Sequence, residues 1–207
     1  MNTVIMEWVS GKTYGNQLIA HSSIATQTLA DMGHVSKNET TKTPLLLIDT
    51  AKSDMLEHQT NASTGNHGEV GIVKIHVTKL INAGVKQEEV AIITPYREQE
   101  KLIRQSLEAR YPKIEVTTID NFQGREKESV LISMVRSNYN NKIGFMNDIR
   151  RLTVALTRAK RQLVIVGNSK MNSKDNYLKE LMEYVQEKGT VRTAEEFKEE
   201  LHTIVEH

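Results

Sequence analysis

Four short runs limit the folds open to this chain: "PLLLIDT" (Pro44–Thr50), "VAIIT" (Val90–Thr94), "SVLISMV" (Ser129–Val135) and "QLVIVGN" (Gln162–Asn168). Each is apolar throughout rather than alternating, so both faces of each strand must be buried. The segments between them carry helical spacing. From His67 to Ala83 the residues Val70, Val73, Val77, Leu80 and Ile81 share one face, with Asn66 at the N-cap position and Gly84 past the end. Arg97 to Arg110 turns Leu102, Ile103 and Leu107 inward. "IEVTTI" (Ile114–Ile119) reads as a further strand, and a helix capped by Asn147 or Asp148 runs to about Ala159. Buried strands alternating with helices predict an α/β fold, a mostly parallel sheet with helices on both faces. Ligands of such sheets gather at the carboxyl ends of the strands.

The remaining segments are less regular. Residues 1–43 read as an irregular lead-in with a short helical stretch around Ile5–Val9, and Lys52–Asn66 reads as a polar loop. Residues 171–207 read as two amphipathic helices, the second with Thr193 and Glu196 at capping-box spacing. With 207 residues, 38% hydrophobic and 26% charged, the chain suits one domain with its core over residues 44–170. A net charge of +1 predicts no partner from the overall field, so nucleic-acid contacts must come from local patches. There is no cysteine, which excludes disulfides, thiolate nucleophiles and cysteine zinc sites. The seven histidines show no H-x-x-x-H pairing, and no metal site is expected. No apolar run approaches the ~18–20 residues of a membrane span, and the N-terminus has no signal-like core. The expectation is an intracellular protein, in cytoplasm or nucleus, with no membrane partner.

"SGKTYG" (Ser10–Gly15) ends like a phosphate-binding loop. That loop, G-x-x-x-x-G-K-[ST], needs a glycine where Met6 stands and a strand before it. Without them the backbone N–H groups cannot cradle phosphate, and Gly11-Lys12-Thr13 reads as an exposed turn. The polar segments after the strands are harder to explain by packing. "QGREKE" (Gln123–Glu128) joins a permissive glycine to charges of alternating sign, which a solvated turn would also show. In "RRLTVALTRAKR" (Arg150–Arg161), Arg151 and Arg158 are seven apart on a predicted helix, with small Ala155 leaving their shared face open. A guanidinium fork matches phosphate oxygens, so a polyphosphate clamp and a plain basic helix both fit. "RSN" (Arg136–Asn138) offers donors to a sugar or phosphate or forms an ordinary turn, and "PYR" (Pro95–Arg97) offers a tyrosine face or an ordinary strand end.

Taken together, "ITPYREQ", "TTIDNFQGREKESVLISMVRSN" and "GFMNDIRRLTVALTRAKRQLVIVGN" resemble, in order and spacing, motifs IV, V and VI of superfamily 1 helicases. The chain is similar to the Upf-like branch, which includes the nonsense-mediated-decay helicase, senataxin and the immunoglobulin mu-binding protein helicase. "GNQLIAHSSIA", "PLLLIDTA", "GNHGEV" and "VRTAEEF" resemble the mu-binding type most. The resemblance implies a RecA-like fold and the second motor domain of an ATP-dependent helicase on single-stranded RNA or DNA, moving 5′ to 3′. The P-loop, and the ligands of Mg²⁺, would lie on a first RecA-like domain upstream, in cis, or on a P-loop partner in trans. The resemblance also implies residue roles. Arg158 would be the catalytic arginine finger on the ATP γ-phosphate, and Gln123, Gly124, Arg125 and Glu126 would complete the ATP-binding set. Arg151 would support phosphate. Pro95, Tyr96, Thr118, Ser137 and Asn138 would touch the nucleic-acid backbone. Thr153 stands where the family usually has asparagine. A non-catalytic binding or regulatory module is the alternative reading.

Overall fold

The computed structural model describes residues 1–60, 63–140, 142–144, 149–197 and 199. Its centre is a six-stranded parallel sheet built from β1 (Leu45–Asp49), β4 (Val90–Thr94), β5 (Glu115–Thr118), β6 (Lys127–Ser133), β7 (Ala159–Gly167) and β8 (Thr190–Thr193). The strand order is β5-β4-β6-β7-β1-β8. A parallel neighbour cannot be reached by a tight turn, so every connection recrosses a sheet face. The crossovers cover both faces, giving the α/β arrangement expected from the apolar runs and the RecA-like fold that the resemblance implies.

Successive strand residues point to opposite faces, and each face has its own core. Leu46, Ile48, Ile92, Leu131, Val164 and Val166 pack against α3 (His67–Asn82) and α4 (Arg97–Leu107). Leu45, Leu47, Ile93, Val130, Ile132, Leu163 and Ile165 pack against α1 (Thr3–Thr13), α5 (Ile149–Leu156) and α7 (Asn176–Lys188). The Asn66 cap holds as expected, its Oδ1 accepting from Glu69 N–H at 3.1 Å. Gly84 takes φ +100°, and a Cβ there would lie 2.4 Å from the His34 carbonyl oxygen, so only glycine ends this helix.

Several segments differ from the sequence reading. The helical stretch expected around Ile5–Val9 is present but longer, as the eleven-residue helix α1, whose Asn2 cap also donates its backbone N–H to Lys160 O at 2.7 Å. Gly11-Lys12-Thr13 forms the last turn of that helix, and Lys12 pairs with Glu180 at 2.6 Å. Residues 52–66 include a small hairpin, β2 (His58–Gln59) with β3 (Thr64–Gly65). The C-terminal region is not helical throughout: β8 adds a parallel edge strand beside β1, with Leu46 opposite Thr190. Glu196 then accepts from Thr193 N–H and Oγ1, both at 3.0 Å, half of the expected capping box. Helix α5 ends at Leu156, short of Ala159, which opens β7. The expected caps Asn147 and Asp148 lie outside the described residues. Among the described residues, no helix is long and apolar enough to cross a membrane.

The end of β6 is held by a buried polar network. Val135 has φ +71°, and Arg136 N–H reaches Met134 O at 2.8 Å, closing a γ-turn on a β-branched residue. Such a backbone costs about 1–3 kcal/mol and persists only where its surroundings enforce it. Here Glu69 enforces it. Its carboxyl accepts Val135 N–H at 3.0 and 2.9 Å and Ser133 Oγ–H at 2.6 Å. Asn66 Nδ2 donates to Val135 O at 3.1 Å, and Gln99 Nε2 donates to Ser133 Oγ at 2.9 Å. Burial pushes the Glu69 carboxyl up to about 7, against the lowering effect of the Ser133 hydroxyl and the Val135 N–H.

This shift has a definite sign. A carboxyl raised on folding keeps its proton longer in the native state, so its contribution is full below the unfolded value of 4.5 and is lost as pH rises through about 7. Buried His76, pushed down to about 4, acts oppositely, adding stability as pH rises from 4 to 6.5. The two overlap, so a comparison isolates Glu69. Glu69→Gln is expected to unfold at lower urea at every pH, with the deficit shrinking as pH rises from 4.5 through 7. A deficit constant across that window in urea titrations would remove the titration from Glu69.

Candidate nucleotide and nucleic-acid site

The predicted residues separate onto two opposite edges of the sheet. Pro95 and Tyr96 follow β4, Thr118 ends β5, and Ser137 and Asn138 follow β6, so all five lie at the carboxyl edge. The chain then crosses the sheet face between β5 and β6, with Phe122 fully buried on the way. Gln123–Glu126 therefore arrive at the amino edge of β6. Arg158 arrives at the amino edge of β7 beside them, where Lys127 N–H donates to Arg158 O at 3.0 Å. One group thus lies at the carboxyl edge and the other at the amino edge.

At the amino edge the 123–126 turn is well determined. Gly124 takes φ +81°. Arg125 pairs with Glu115, donates to Asn121 O and lies 5.2 Å from the Phe122 ring centroid, so it braces the turn rather than projecting freely. Arg158 is half-buried. Its Nε donates to Val154 O at 2.9 Å, Nη1 to Arg125 O at 3.4 Å and Nη2 to Thr157 Oγ1 at 3.3 Å. No carboxylate pairs with it among the described residues. Neutral acceptors orient a guanidinium and leave its charge uncompensated.

Glu126 pairs with Lys160 at 3.0 Å, and that carboxylate holds the Lys160 ammonium above its usual range. The two side chains are 64% and 35% exposed, so the pair is worth at most about 1 kcal/mol and exchanges readily. Gln123 is exposed. Arg151 is bound to Asp120 at 3.1 Å on the other side of the turn. The shared helix face expected for Arg151 and Arg158 does not exist, because α5 stops before Arg158 and Ala155 is buried in the core. Thr153 faces α1 and α7, its Oγ1 lying 2.9 Å from Tyr177 Oη and 3.4 Å from Thr13 Oγ1.

The carboxyl edge carries a groove of about 800 Å³ lined by Pro95, Tyr96, Asp120, Arg136 and Arg151. Tyr96 is only 5% exposed, and its hydroxyl accepts from Arg136 Nη1 at 3.3 Å, so its ring is not an open stacking face. Thr118 is buried at the end of β5. Ser137 and Asn138 are tied down by Glu57, which sequence reasoning passed over as part of a polar loop. Glu57 Oε2 accepts Ser137 N–H at 2.8 Å and Asn138 Nδ2–H at 3.0 Å. The same oxygen lies 3.2 Å from Arg136 Nε, close enough to pair but outside hydrogen-bond alignment. With side chains 7% and 4% exposed, losing either partner of this ion pair would cost about 3–5 kcal/mol. Arg136, read from sequence only as one of the donors of "RSN", further donates to Lys142 O at 2.5 Å and is the hub of this edge. No cluster of three or more metal-ligating side chains is present among the described residues.

The Gly124 turn gives a direct test. Nothing lies within 4 Å of the place a Cβ would occupy, so Gly124→Ala costs only its backbone strain, about 1–2 kcal/mol in urea unfolding. Gly124→Asn is expected to cost less, since asparagine visits this conformation more easily. A larger loss for alanine would show that the turn is sterically closed.

Comparison with known proteins shows the family. The profile of the AAA domain family matches residues 1–170. The chain is 42% identical over 203 residues to DNA-binding protein SMUBP-2 of Mesocricetus auratus, covering 97% of this chain and 20% of that protein. It is 37% identical over 207 residues to the DNA polymerase alpha-associated DNA helicase A of Saccharomyces cerevisiae, covering 93% of this chain and 30% of that one. It is 42% identical over 120 residues to the ATP-dependent helicase NAM7 of the same yeast, covering 55% of this chain and 12% of the helicase. The chain thus spans between about an eighth and a third of these relatives. On the match across most of its length, the chain belongs to the AAA domain family, as a superfamily 1 helicase domain of the Upf-like, mu-binding and nonsense-mediated-decay type.

Proposed function

We propose that this domain is the second motor domain of an ATP-dependent helicase that moves along single-stranded RNA or DNA. The observation that carries this reading is Arg158: a half-buried guanidinium held by neutral acceptors, beside Glu126, on one edge of the sheet. A phosphoryl group in transfer spreads negative charge over its oxygens, and an arginine placed against them stabilises that charge. Arg158 fills that role on the γ-phosphate of ATP held by a P-loop-bearing RecA-like domain, in cis or in trans. Glu126 exchanges Lys160 for the nucleotide sugar. Gly124 and Arg125 hold the turn, Gln123 links nucleotide to strand, and Arg151 supports phosphate near Asp120. Mg²⁺ ligands are assigned to the P-loop domain.

The single strand lies along the carboxyl edge, over Pro95, Tyr96, Thr118, Ser137 and Asn138. Contacts of this kind hold sugar and phosphate and confer little base specificity. Because Ser137 and Asn138 are already bonded to Glu57, they present a fixed loop surface instead of searching for the strand. The compartment assigned to the protein is cytoplasm or nucleus.

By itself the 207-residue chain is expected to show no ATP turnover above background; a rate comparable to a complete helicase would overturn the division of labour. In a protein that joins this domain to its P-loop partner, Arg158→Ala should lower kcat by about 10³–10⁵. KM for ATP should change far less, as befits an interaction made mainly in the transition state.

A further inference from the structure

The carboxyl edge extends beyond the residues assigned above. Past Ser137 and Asn138 it opens into a second groove of about 580 Å³, over the ends of β6, β7 and β1. Asn168, at the end of β7, links the two regions by donating from Nδ2 to Ser137 Oγ at 3.1 Å. Neighbouring strands lie ~4.8 Å apart, so this groove continues the edge for roughly another 10 Å from β6 to β1.

Its lining is unusual for idle surface. Tyr139 is 82% exposed and Leu56 is 44% exposed. These are two of the six large apolar side chains exposed among the described residues, and both line this groove. No hydrogen bond or ring contact holds the Tyr139 side chain among the described residues. Lys170 and Lys174, four residues apart, also line the groove, and neither pairs with a carboxylate among the described residues. Other surface lysines, such as Lys52, Lys74 and Lys101, are likewise exposed and pair with no carboxylate among the described residues, so what sets Lys170 and Lys174 apart is their place in one groove with an exposed aromatic ring. Asp54 is the one carboxylate among the lining residues.

An open aromatic face beside uncompensated ammonium groups is the combination that holds single strands, with bases on the ring and phosphates on the cations. We propose that this groove is a further single-strand subsite, in which one base stacks on Tyr139 against Leu56 while flanking phosphates meet Lys170 and Lys174. The proposal rests on the reading that the strand lies along the carboxyl edge. Stacking uses the face of the ring and reads no base edge, so the subsite adds affinity and length dependence without sequence preference.

The test measures binding of the full chain to oligothymidylates of about 4 to 16 nucleotides by fluorescence anisotropy over a salt series. Tyr139→Ala should weaken binding of the longer strands by roughly 5- to 140-fold, while Tyr139→Phe keeps it. Replacing Lys170 and Lys174 together by alanine should flatten the plot of log K against log salt by about 1.4, two phosphates at about 0.7 each. All three side chains are exposed, so unfolding midpoints should match the parent chain. If the variants bind every length with the parent's affinity and salt slope, the strand path ends at Asn138; the subsite is overturned and the wider reading survives. If Tyr139→Phe falls as far as Tyr139→Ala, stacking is overturned. A parent chain that binds no strand at any length overturns the subsite and the carboxyl-edge reading together.

Discussion

The candidate nucleotide edge depends on the parallel pairing of β6 with β7. In that pairing Lys127 stands against Ala159, and both strands are entered from the same side of the sheet. Parallel neighbours impose this, since each connection must return to the edge where it started. One returning segment carries Gly124, Arg125 and Glu126; the other carries Arg158. Their meeting requires nothing special of either segment. It requires only that "SVLISMV" and "LVIV" be apolar enough to lie side by side with both faces covered.

What could be read in advance follows the same physics. The four apolar runs were legible because burial on both faces leaves no room for polar residues. Strand β8, "TVRT", was not, because an edge strand keeps one side in water and need not be apolar. Helix α1 was legible only around Ile5–Val9, because Ile5, Trp8 and Val9 keep helical spacing over too few turns to mark its full length. The end of α5 was invisible because Leu152, Ala155, Leu156 and Ala159 continue an apolar pattern across the boundary, and only sheet pairing assigns Ala159 to β7. Residue types at the site were legible, but their partners were not. Glu57 sits in a segment of polar composition, and its burial beneath Arg136, Ser137 and Asn138 is a tertiary fact. Glu69 is, by sequence, simply an acid in the first turn of a helix, and its partners come from the end of β6 and just past it, 64 and 66 residues away.

The carboxyl edge balances strain against burial. The γ-turn at Val135 costs about as much as the hydrogen bonds from Val135 N–H and Ser133 Oγ–H to the buried, protonated Glu69 carboxyl return, about 0.5–1.5 kcal/mol each. The near balance explains why so many side chains converge there: Asn66 and Gln99 from the α3 and α4 side add bonds that tip it toward the observed conformation. Arg136 then leaves the turn in a fixed direction, toward Glu57 and Tyr96.

The two edges are joined by strands with almost no freedom to bend. The seven residues of β6 span roughly 20 Å and are hydrogen-bonded on both sides by β4 and β7. A slab of this kind is stiff along its strands, and close packing on both faces leaves little slack to absorb motion. A displacement imposed at Arg158 therefore reaches Ser137 as rotation of the whole body, like the two arms of a rocker, and not as a wave of local rearrangements. The pivot lies in whatever surface this sheet rests against.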